Sequence, residues 1–146
     1  CMLPAVFQAR WMDEVLSRSR AKWKIVSTHF ALYSARSTRD YKAIREAWVP
    51  VFDRHGVDFV LQGHDHVYSR SVPLKAHRPA AEGEKGTHYV IAVASTEYSR
   101  GQAPFSATAF EGVETYQVFD VQGDGRLLYQ AFDLDGRLRD EVVLKK

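Results

Sequence analysis

Three scarcities limit what this 146-residue chain can be. It has one cysteine, Cys1, so no disulfide can form within the chain, and metal chemistry must rest on histidine and carboxylate. It has no apolar run near the roughly 18 residues that a membrane span needs. Its formal net charge is only +2, and acids lie among the basic residues, which leaves no continuous stripe for nucleic acid. We therefore expect neither a membrane nor a nucleic-acid partner.

The beginning of the chain carries no targeting pattern. No basic, apolar, small-residue leader precedes the first predicted element, and the first residue is Cys rather than Met. This suggests that residues upstream of Cys1 have been removed or omitted, and a signal peptide would be lost with them. The composition, 45% hydrophobic and 26% charged, is typical of one ordinary soluble domain able to bury a core.

Two helices are indicated in the first 70 residues. Apolar side chains recur at helical spacing over residues 5–18, with polar residues on the other face. A second helix is indicated between Ser37 and Gly56, because Ser37 and Asp40 resemble a capping box and Gly56 is a suitable stop. Pro50 lies inside this segment, and we expect it to kink or split the helix.

Two strands alternate with these helices and deliver histidines at their ends. Residues 23–28 are short and β-rich and lead directly into His29, and the apolar residues 57–62 lead into His64 and His66. This alternating order of helices and strands predicts a parallel α/β sheet. The functional residues of such a sheet lie beyond the carboxyl ends of its strands.

The second half follows a different pattern. Residues 75–86 read as a polar loop and residues 96–112 as a long loop of uncertain order. Strand-like segments occupy 87–95, 114–121, 126–134 and 139–144. We therefore predict an α/β fold: a parallel α/β part over residues 1–70, followed by a mostly antiparallel β part over residues 71–146.

The residues Gly63-His64-Asp65-His66 form the most distinctive pattern in the chain. Neutral imidazole binds zinc, iron, nickel and copper, and positions 64 and 66 face the same way in an extended turn. An isolated His-x-His also arises by chance, and a lone histidine at a strand end is more often a hydrogen-bonded structural residue. The position after a buried strand, together with His29 at a second strand end, favours a metal site.

Several blocks resemble one family. "VDFVLQGHDHVYSR" (57–70) resembles the Gly-His-x-His block, with its trailing Tyr-x-Arg, of the purple acid phosphatase-like, calcineurin-type metallophosphoesterases. "KWKIVSTHFALYS" (22–34) resembles the preceding block, in which a strand ends in a metal-binding histidine. "FQARWMDEVLSRSRAKWKIV" (7–26) resembles the helix before it, and "GTHYV" (86–90) the strand that follows. The resemblance covers roughly residues 5–95, with the blocks in the family's order.

This resemblance implies a fold, a reaction and a set of ligands. The fold would be half of a metallophosphoesterase-type layered α/β-β sandwich. His29 and His64 would bind one transition-metal ion and His66 a second, the ions being iron, zinc or manganese. A metal-bound hydroxide would hydrolyse a phosphate ester substrate. Secretion or a periplasmic location is compatible with the family.

The chain also departs from the family pattern. The family's earlier blocks, Asp-x-His, Gly-Asp-x-x-Asp and Gly-Asn-His-[Glu/Asp], are absent, and the one Gly-Asp, Gly123-Asp124, reads as a hairpin turn. We therefore predict that this chain is the C-terminal portion of a catalytic domain, that the N-terminal half is its missing partner, and that the chain alone is inactive. Plant-type members carry histidines that help to protonate the leaving group, but residues 30–45 contain none, so the general acid is unassigned.

Three residues around the histidines are candidates for supporting roles. Asp65 either orients a ligand as a hydrogen-bond acceptor or is a solvent-facing turn carboxylate. Tyr68 and Arg70 alternate with the histidines and are candidates for substrate binding, with Arg70 contacting a phosphate or carboxylate. The alternative for Arg70 is a surface position or an ion pair.

The other histidines are expected to be structural. His55 lies just before Gly56 and suits the negative end of a helix dipole. His77 belongs to a polar loop, and His88 is expected to be a packed or edge residue of a strand.

Two functions other than a hydrolase remain open. The chain is either a non-catalytic domain that binds one transition metal or simply packs these histidines, or, from residues 86–146, an adhesive β-sandwich module. Replacing His29, His64 and His66 together would leave partner binding by such a module untouched.

Overall fold

A computed structural model describes residues 4–146, so the prediction made for Cys1 lies outside the described residues. Within that range the elements follow in this order: α1 (Ala5–Arg18), β1 (Ile25–Thr28), α2 (Lys42–His55), β2 (Phe59–Gln62), β3 (Tyr68–Ser71), β4 (Leu74–Lys75), β5 (Arg78–Pro79), β6 (His88–Ile91), β7 (Ser106–Phe110), β8 (Thr115–Val121), β9 (Arg126–Asp133) and β10 (Leu138–Lys145). Neither helix in this range is long and apolar enough to cross a bilayer.

Helix α1 confirms the periodicity over residues 5–18, whereas the beginning of α2 corrects the predicted capping box. The cap of α2 is Tyr41, without a side-chain hydrogen bond, so Ser37 and Asp40 do not start the helix. The helix runs through Pro50 as one element and is not split. It ends as expected at Gly56, whose φ of 59° is left-handed and suits glycine.

The five-stranded sheet has the order β1-β2-β6-β3-β7. Strands β1, β2 and β6 are parallel, and β3 and β7 add on antiparallel to their neighbours. The predicted parallel pairing of the first two strands is therefore confirmed. Its register sets Thr28 opposite Gln62, which brings the carboxyl ends of β1 and β2 to the same edge.

Each face of this sheet is covered by a different layer. On one face, Val60 and Tyr89 pack with Met12 of α1 and with Trp48 and Phe52 of α2. The neighbouring strand residues point to the opposite face, because side chains alternate along a strand. They form a second core with the sheet β10-β9-β8, comprising the buried residues Phe59, Tyr68, Val90, Leu127, Tyr129 and Ala131. The result is a helix layer, a mixed sheet and a three-stranded sheet, which confirms the layered α/β-β architecture.

The antiparallel second half follows the prediction except in its loops. Strands β8, β9 and β10 form a meander with turns at 123–125 and 134–135. The predicted loop 96–112 contains strand β7, which pairs with β3. The predicted loop 75–86 overlaps the small hairpin of β4 and β5. Both were missed because these strands are short and depend on pairing with distant or adjacent backbone.

Candidate metal centre

Two of the three predicted ligands meet at the edge of the sheet. His29 directly follows β1, and His64 follows β2 after Gly63. Because the two strands are parallel neighbours, their tips are held together by a hydrogen bond from the Gly63 amide to the His29 carbonyl oxygen, 3.1 Å long. His29 Nε2 and His64 Nδ1 lie 3.0 Å apart. The fold therefore points two imidazole nitrogens at each other.

The backbone of the turn is left-handed at His64 rather than at Gly63. Gly63 does not have a positive φ, whereas His64 has a φ of 67°. A left-handed backbone costs a non-glycine residue about 1–2 kcal/mol and persists where its surroundings impose it. A Cβ at position 63 would lie 3.5 Å from the His29 carbonyl oxygen and 4.0 Å from its Nδ1. Both distances are ordinary van der Waals contacts, so the turn does not require glycine at position 63.

An aromatic wall supports the two imidazoles. The Phe30 ring is edge-on to both, with centroids 5.1 Å from His29 and 5.2 Å from His64. Tyr41 packs on Phe30 at 4.9 Å. Partial burial lowers the pKa of His64, with the Arg39 charge adding to the effect. The neutral form is the one that binds metal.

Asp65 is neither solvent-facing nor a hydrogen-bond acceptor from an imidazole. Its side chain is fully buried rather than solvent-facing. It accepts hydrogen bonds from Ser34 Oγ at 2.7 Å, from the Ala35 amide at 2.8 Å and from Arg39 Nη1 at 2.8 Å, not from an imidazole. All three donors lie on the loop between β1 and α2. Asp65 therefore ties that loop to the histidine turn.

His66 lies on the same cavity as His64 but belongs to a different contact set. Its Nδ1 is 3.5 Å from Glu97 Oε2, and its carbonyl oxygen accepts a hydrogen bond from the Ser99 amide. The cavity has a volume of about 530 Å³. Its walls are Arg36, Arg39, His64, His66, Glu97, Tyr98 and Ser99.

The His29 and His64 pair fits a transition-metal ion, although the chain supplies few ligands for it. Two nitrogens bonded to one ion at about 2.0–2.1 Å, with angles between octahedral and tetrahedral, are separated by about 2.9–3.4 Å. The observed 3.0 Å lies in that window. Among residues 4–146, however, no group of three or more His, Cys, Asp or Glu side chains is arranged to hold a metal ion.

Comparison with known proteins finds a phosphoesterase family that part of this chain resembles. Residues 4–68 match the model of the family described as calcineurin-like phosphoesterase. A stretch of 57 residues is 39% identical to purple acid phosphatase 17 of Arabidopsis thaliana, and it covers 39% of this chain and 17% of that protein. The phosphoesterase resemblance seen in the sequence, of the purple acid phosphatase type, is thereby confirmed.

Two further proteins extend this likeness beyond residue 68. An acid phosphatase of Aspergillus ficuum is 29% identical over 123 residues, which cover 70% of this chain and 20% of that protein. The solved structure of purple acid phosphatase PPD1 from yellow lupin (Lupinus luteus) superposes with a TM-score of 0.81 at 18% identity, covering 94% of this chain and 28% of that one. The second likeness shows the fold. The chain spans a fifth or less of the two phosphatases aligned by sequence.

The prediction that Tyr68 and Arg70 bind substrate is wrong. Both side chains point into the interface between the two sheets of the phosphoesterase fold, where Tyr68 is fully buried and Arg70 is 7% exposed. Arg70 forms an ion pair with Asp140, and the Tyr68 hydroxyl donates to the same carboxylate at 2.7 Å. The residues that do reach the cavity, Arg36 and Arg39, were not singled out. The signal for them was their place in the loop that follows His29.

The remaining histidines lie away from the His29 and His64 pair. His55 ends α2 and its Nε2 lies 2.7 Å from Asp13 Oδ1. His77 is exposed, although its Nδ1 contacts the Tyr33 hydroxyl at 3.1 Å. His88 is buried in β6, where its Nδ1 lies 3.1 Å from the Ser71 carbonyl oxygen. These positions agree with the structural roles expected from the sequence.

Proposed function

We propose that this chain supplies histidine ligands to the dinuclear metal centre of a phosphoric ester hydrolase. The observation that carries the proposal is the 3.0 Å approach of His29 Nε2 to His64 Nδ1 at the tips of adjacent parallel strands. His66, on the same cavity as His64, is assigned to the second ion. The family match over residues 4–68 supports a phosphoesterase, and the metals proposed are iron, zinc or manganese.

The residues of this chain would hold a metal ion and attract the phosphate ester, but they would not complete the catalytic site alone. Two ions, when bound, supply the Lewis acidity that displacement at phosphorus requires. His29 and His64 hold one ion between rigid strand tips. Arg36 lines the same cavity and favours the approach of an anionic phosphate ester, whereas the charge of Arg39 is paired with Asp65. Tyr68 and Arg70 take no part, because they are buried elsewhere.

The remaining ligands are proposed to come from the polypeptide that precedes this chain in the intact protein. Neutral imidazoles bring no negative charge, and two cations held close together repel strongly. A bridging carboxylate would offset that repulsion, but the described residues place none beside the His29 and His64 pair. Residues 1–70 and 71–146 are accordingly the α/β and β parts of one incomplete catalytic domain, which is inactive alone.

Hydrolysis of p-nitrophenyl phosphate by the protein extended upstream tests this proposal. We expect that protein to contain two metal ions and to turn over the ester, and His29→Asn or His64→Asn to reduce turnover by more than about 100-fold. His77→Asn is the matched control, since His77 has a φ of 62° that asparagine accepts readily. Binding of at most one ion without turnover would contradict the proposal.

That negative outcome would favour a second function, a non-catalytic domain that binds a single transition metal. The observation in its favour is that residues 4–146 contain no three-ligand group. Such a domain would keep its one ion through His29 and His64. It would show no hydrolysis in the extended protein.

A further inference from the structure

Asp65 lies between His64 and His66 in the sequence, and its buried carboxylate accepts no hydrogen bond from either imidazole. Asp65 is fully buried, and both of its oxygens are occupied by donors from the loop 34–39. An acid so close to a proposed cation site would ordinarily be read as a ligand. Its hydrogen bonds are made instead with the loop that follows His29. This indicates that Asp65 positions the turn rather than binding the ion.

Arg39 extends this contact to the backbone of the turn. Its Nη1 donates to Asp65 Oδ1 at 2.8 Å and to the His64 carbonyl oxygen at 3.2 Å. One nitrogen therefore joins the carboxylate and the residue whose backbone is left-handed. Because a backbone in that region persists only where its surroundings over-determine it, Arg39 and Asp65 are the groups placed to impose it.

The same carboxylate fixes the other side of the contact. Asp65 Oδ2 accepts from the Ala35 amide and from Ser34 Oγ, and Ser34 Oγ in turn accepts from the Arg36 amide at 3.0 Å. The loop after His29 is thereby fixed to the turn that carries His64. The two proposed ligands are coupled through side chains as well as through the sheet.

We propose that Asp65 and Arg39 are positioning residues that hold His64 in the conformation in which its Nδ1 faces His29 Nε2. The pair contacts neither the substrate nor the ion. It sets the ring of a ligand in place before the ion arrives, so its loss is felt as weaker metal binding. This inference rests on the proposed metal-binding function.

The test is the zinc affinity of the intact protein, measured by competition with a chromophoric chelator. Asp65→Asn replaces an acceptor by an amide nitrogen that must face a donor, and Arg39→Lys keeps the charge on a side chain one atom shorter, so its nitrogen does not reach the position of Nη1. We expect each to weaken zinc binding about 10–100-fold, the usual cost of losing a partner that orients a ligand. Because both act through one contact, the double variant should be no weaker than the worse single one.

The matched control is Asp53→Asn. Asp53 Oδ2 accepts a hydrogen bond from the Ala76 amide at 2.9 Å, which is a similar carboxylate-to-loop contact away from the histidines. Its zinc affinity should equal that of the parent. Urea unfolding of every variant ensures that affinities are compared where each is folded. A merely structural role would lower stability without this selective loss of zinc.

A second readout needs no metal. In the metal-free parent, His64 Nδ1 either donates to or accepts from His29 Nε2, so the ¹⁵N chemical shifts of His64 report whether this contact persists. In Asp65→Asn we expect averaged shifts for His64 and unchanged shifts for His55. Unchanged His64 shifts would overturn the proposal.

The outcomes separate this inference from the function on which it rests. If His64→Asn abolishes zinc binding but Asp65→Asn stays within about threefold of the parent, the positioning role is overturned and the metal site stands. If His29→Asn and His64→Asn both leave zinc binding unchanged, the proposed function and the positioning role fail together. Selective weakening in Asp65→Asn and Arg39→Lys supports both.

Discussion

Arg70 on β3 and Asp140 on β10 form a buried ion pair joined at two points. Arg70 Nε lies 2.6 Å from Asp140 Oδ2, and Arg70 Nη2 lies 2.8 Å from Oδ1. Burial acts to raise the pKa of Asp140, but hydrogen bonds from Arg70 and Tyr68 outweigh it, so the pKa lies below its ordinary value. Since β3 and β10 lie in different sheets, the pair fastens the sheets together. The Tyr-x-Arg that trails the histidine turn thus stabilises the fold.

Removing one partner of this pair should be strongly destabilising. Asp140→Ala leaves the Arg70 charge buried and unpaired, which costs about 3–5 kcal/mol of unfolding free energy. Urea unfolding measures the loss. The control is Asp124→Ala, which breaks the exposed pair with Arg126 and should cost less than about 1 kcal/mol. Equal losses in the two variants would mean that the buried pair does not fasten the sheets.

His88 should make the fold sensitive to mild acid. Burial lowers its pKa below the ordinary 6.5, in surroundings that include Arg70, Asp140 and Asp58. The unfolded chain therefore takes up a proton near pH 6.5 before the folded chain does. The stability that depends on neutral His88 is fully present above about pH 6.5 and is lost as the pH falls toward the lowered pKa.

The slope of that loss can be isolated by substitution. One proton corresponds to about 1.4 kcal/mol of unfolding free energy per pH unit. His88→Asn keeps a donor for the Ser71 carbonyl oxygen but removes the titrating group. Urea unfolding at pH 7.5, 6 and 5 should give a shallower decline for the variant than for the parent. Parallel declines would contradict the account of His88.

Gly86 is expected to be irreplaceable for a steric reason. A Cβ there would lie 2.9 Å from the Leu74 amide nitrogen and from the Pro73 carbonyl carbon, both of which are backbone atoms that cannot move aside easily. Gly86→Ala should therefore destabilise the protein by about 1–3 kcal/mol. Gly123→Ala is the control, because its Cβ would meet nothing within 4 Å. Differential scanning calorimetry should show a lower Tm only for Gly86→Ala.

Arg36 should contribute to anion binding at the cavity. Its side chain is exposed, lines the cavity beside His64 and His66, and makes no hydrogen bond or ion pair through its guanidinium with residues 4–146. We expect Arg36→Gln to weaken the binding of inorganic phosphate to the metal-loaded intact protein about 10-fold, the typical value of a charge-assisted contact. Isothermal titration measures it. Arg20 is an exposed arginine of another loop, and Arg20→Gln should bind phosphate like the parent. Phosphate binding by Arg36→Gln that equals that of the parent would contradict the role of Arg36.

Local sequence patterns predict helices and strands correctly where buried residues recur at a regular spacing. The helix over residues 5–18, the strands that end before His29 and His64, and the hairpin meander after residue 114 all follow from periodicity and turn residues. Such patterns do not predict a strand that forms only by pairing with a strand distant in the sequence. Strand β7 has small residues and forms because β3 offers it an edge.

The candidate site shows the same division. Strand order and register bring His29 and His64 together, and both follow from the βαβ pattern. The roles of Asp65 and Arg70 could not be read from alternation. Alternation says which residues share a face, but it does not say whether that face meets a cavity, a loop or a second sheet. Asp65 contacts a loop that is 30 residues away in the sequence, and Arg70 contacts a strand that is 70 residues away.

The most direct test of the metal centre is anomalous scattering at the zinc edge from crystals of the intact protein grown with zinc. We predict a peak at about 2.0–2.1 Å from both His29 Nε2 and His64 Nδ1. Zinc bound only elsewhere, with the two imidazoles still 3.0 Å apart and hydrogen-bonded to each other, would contradict the account.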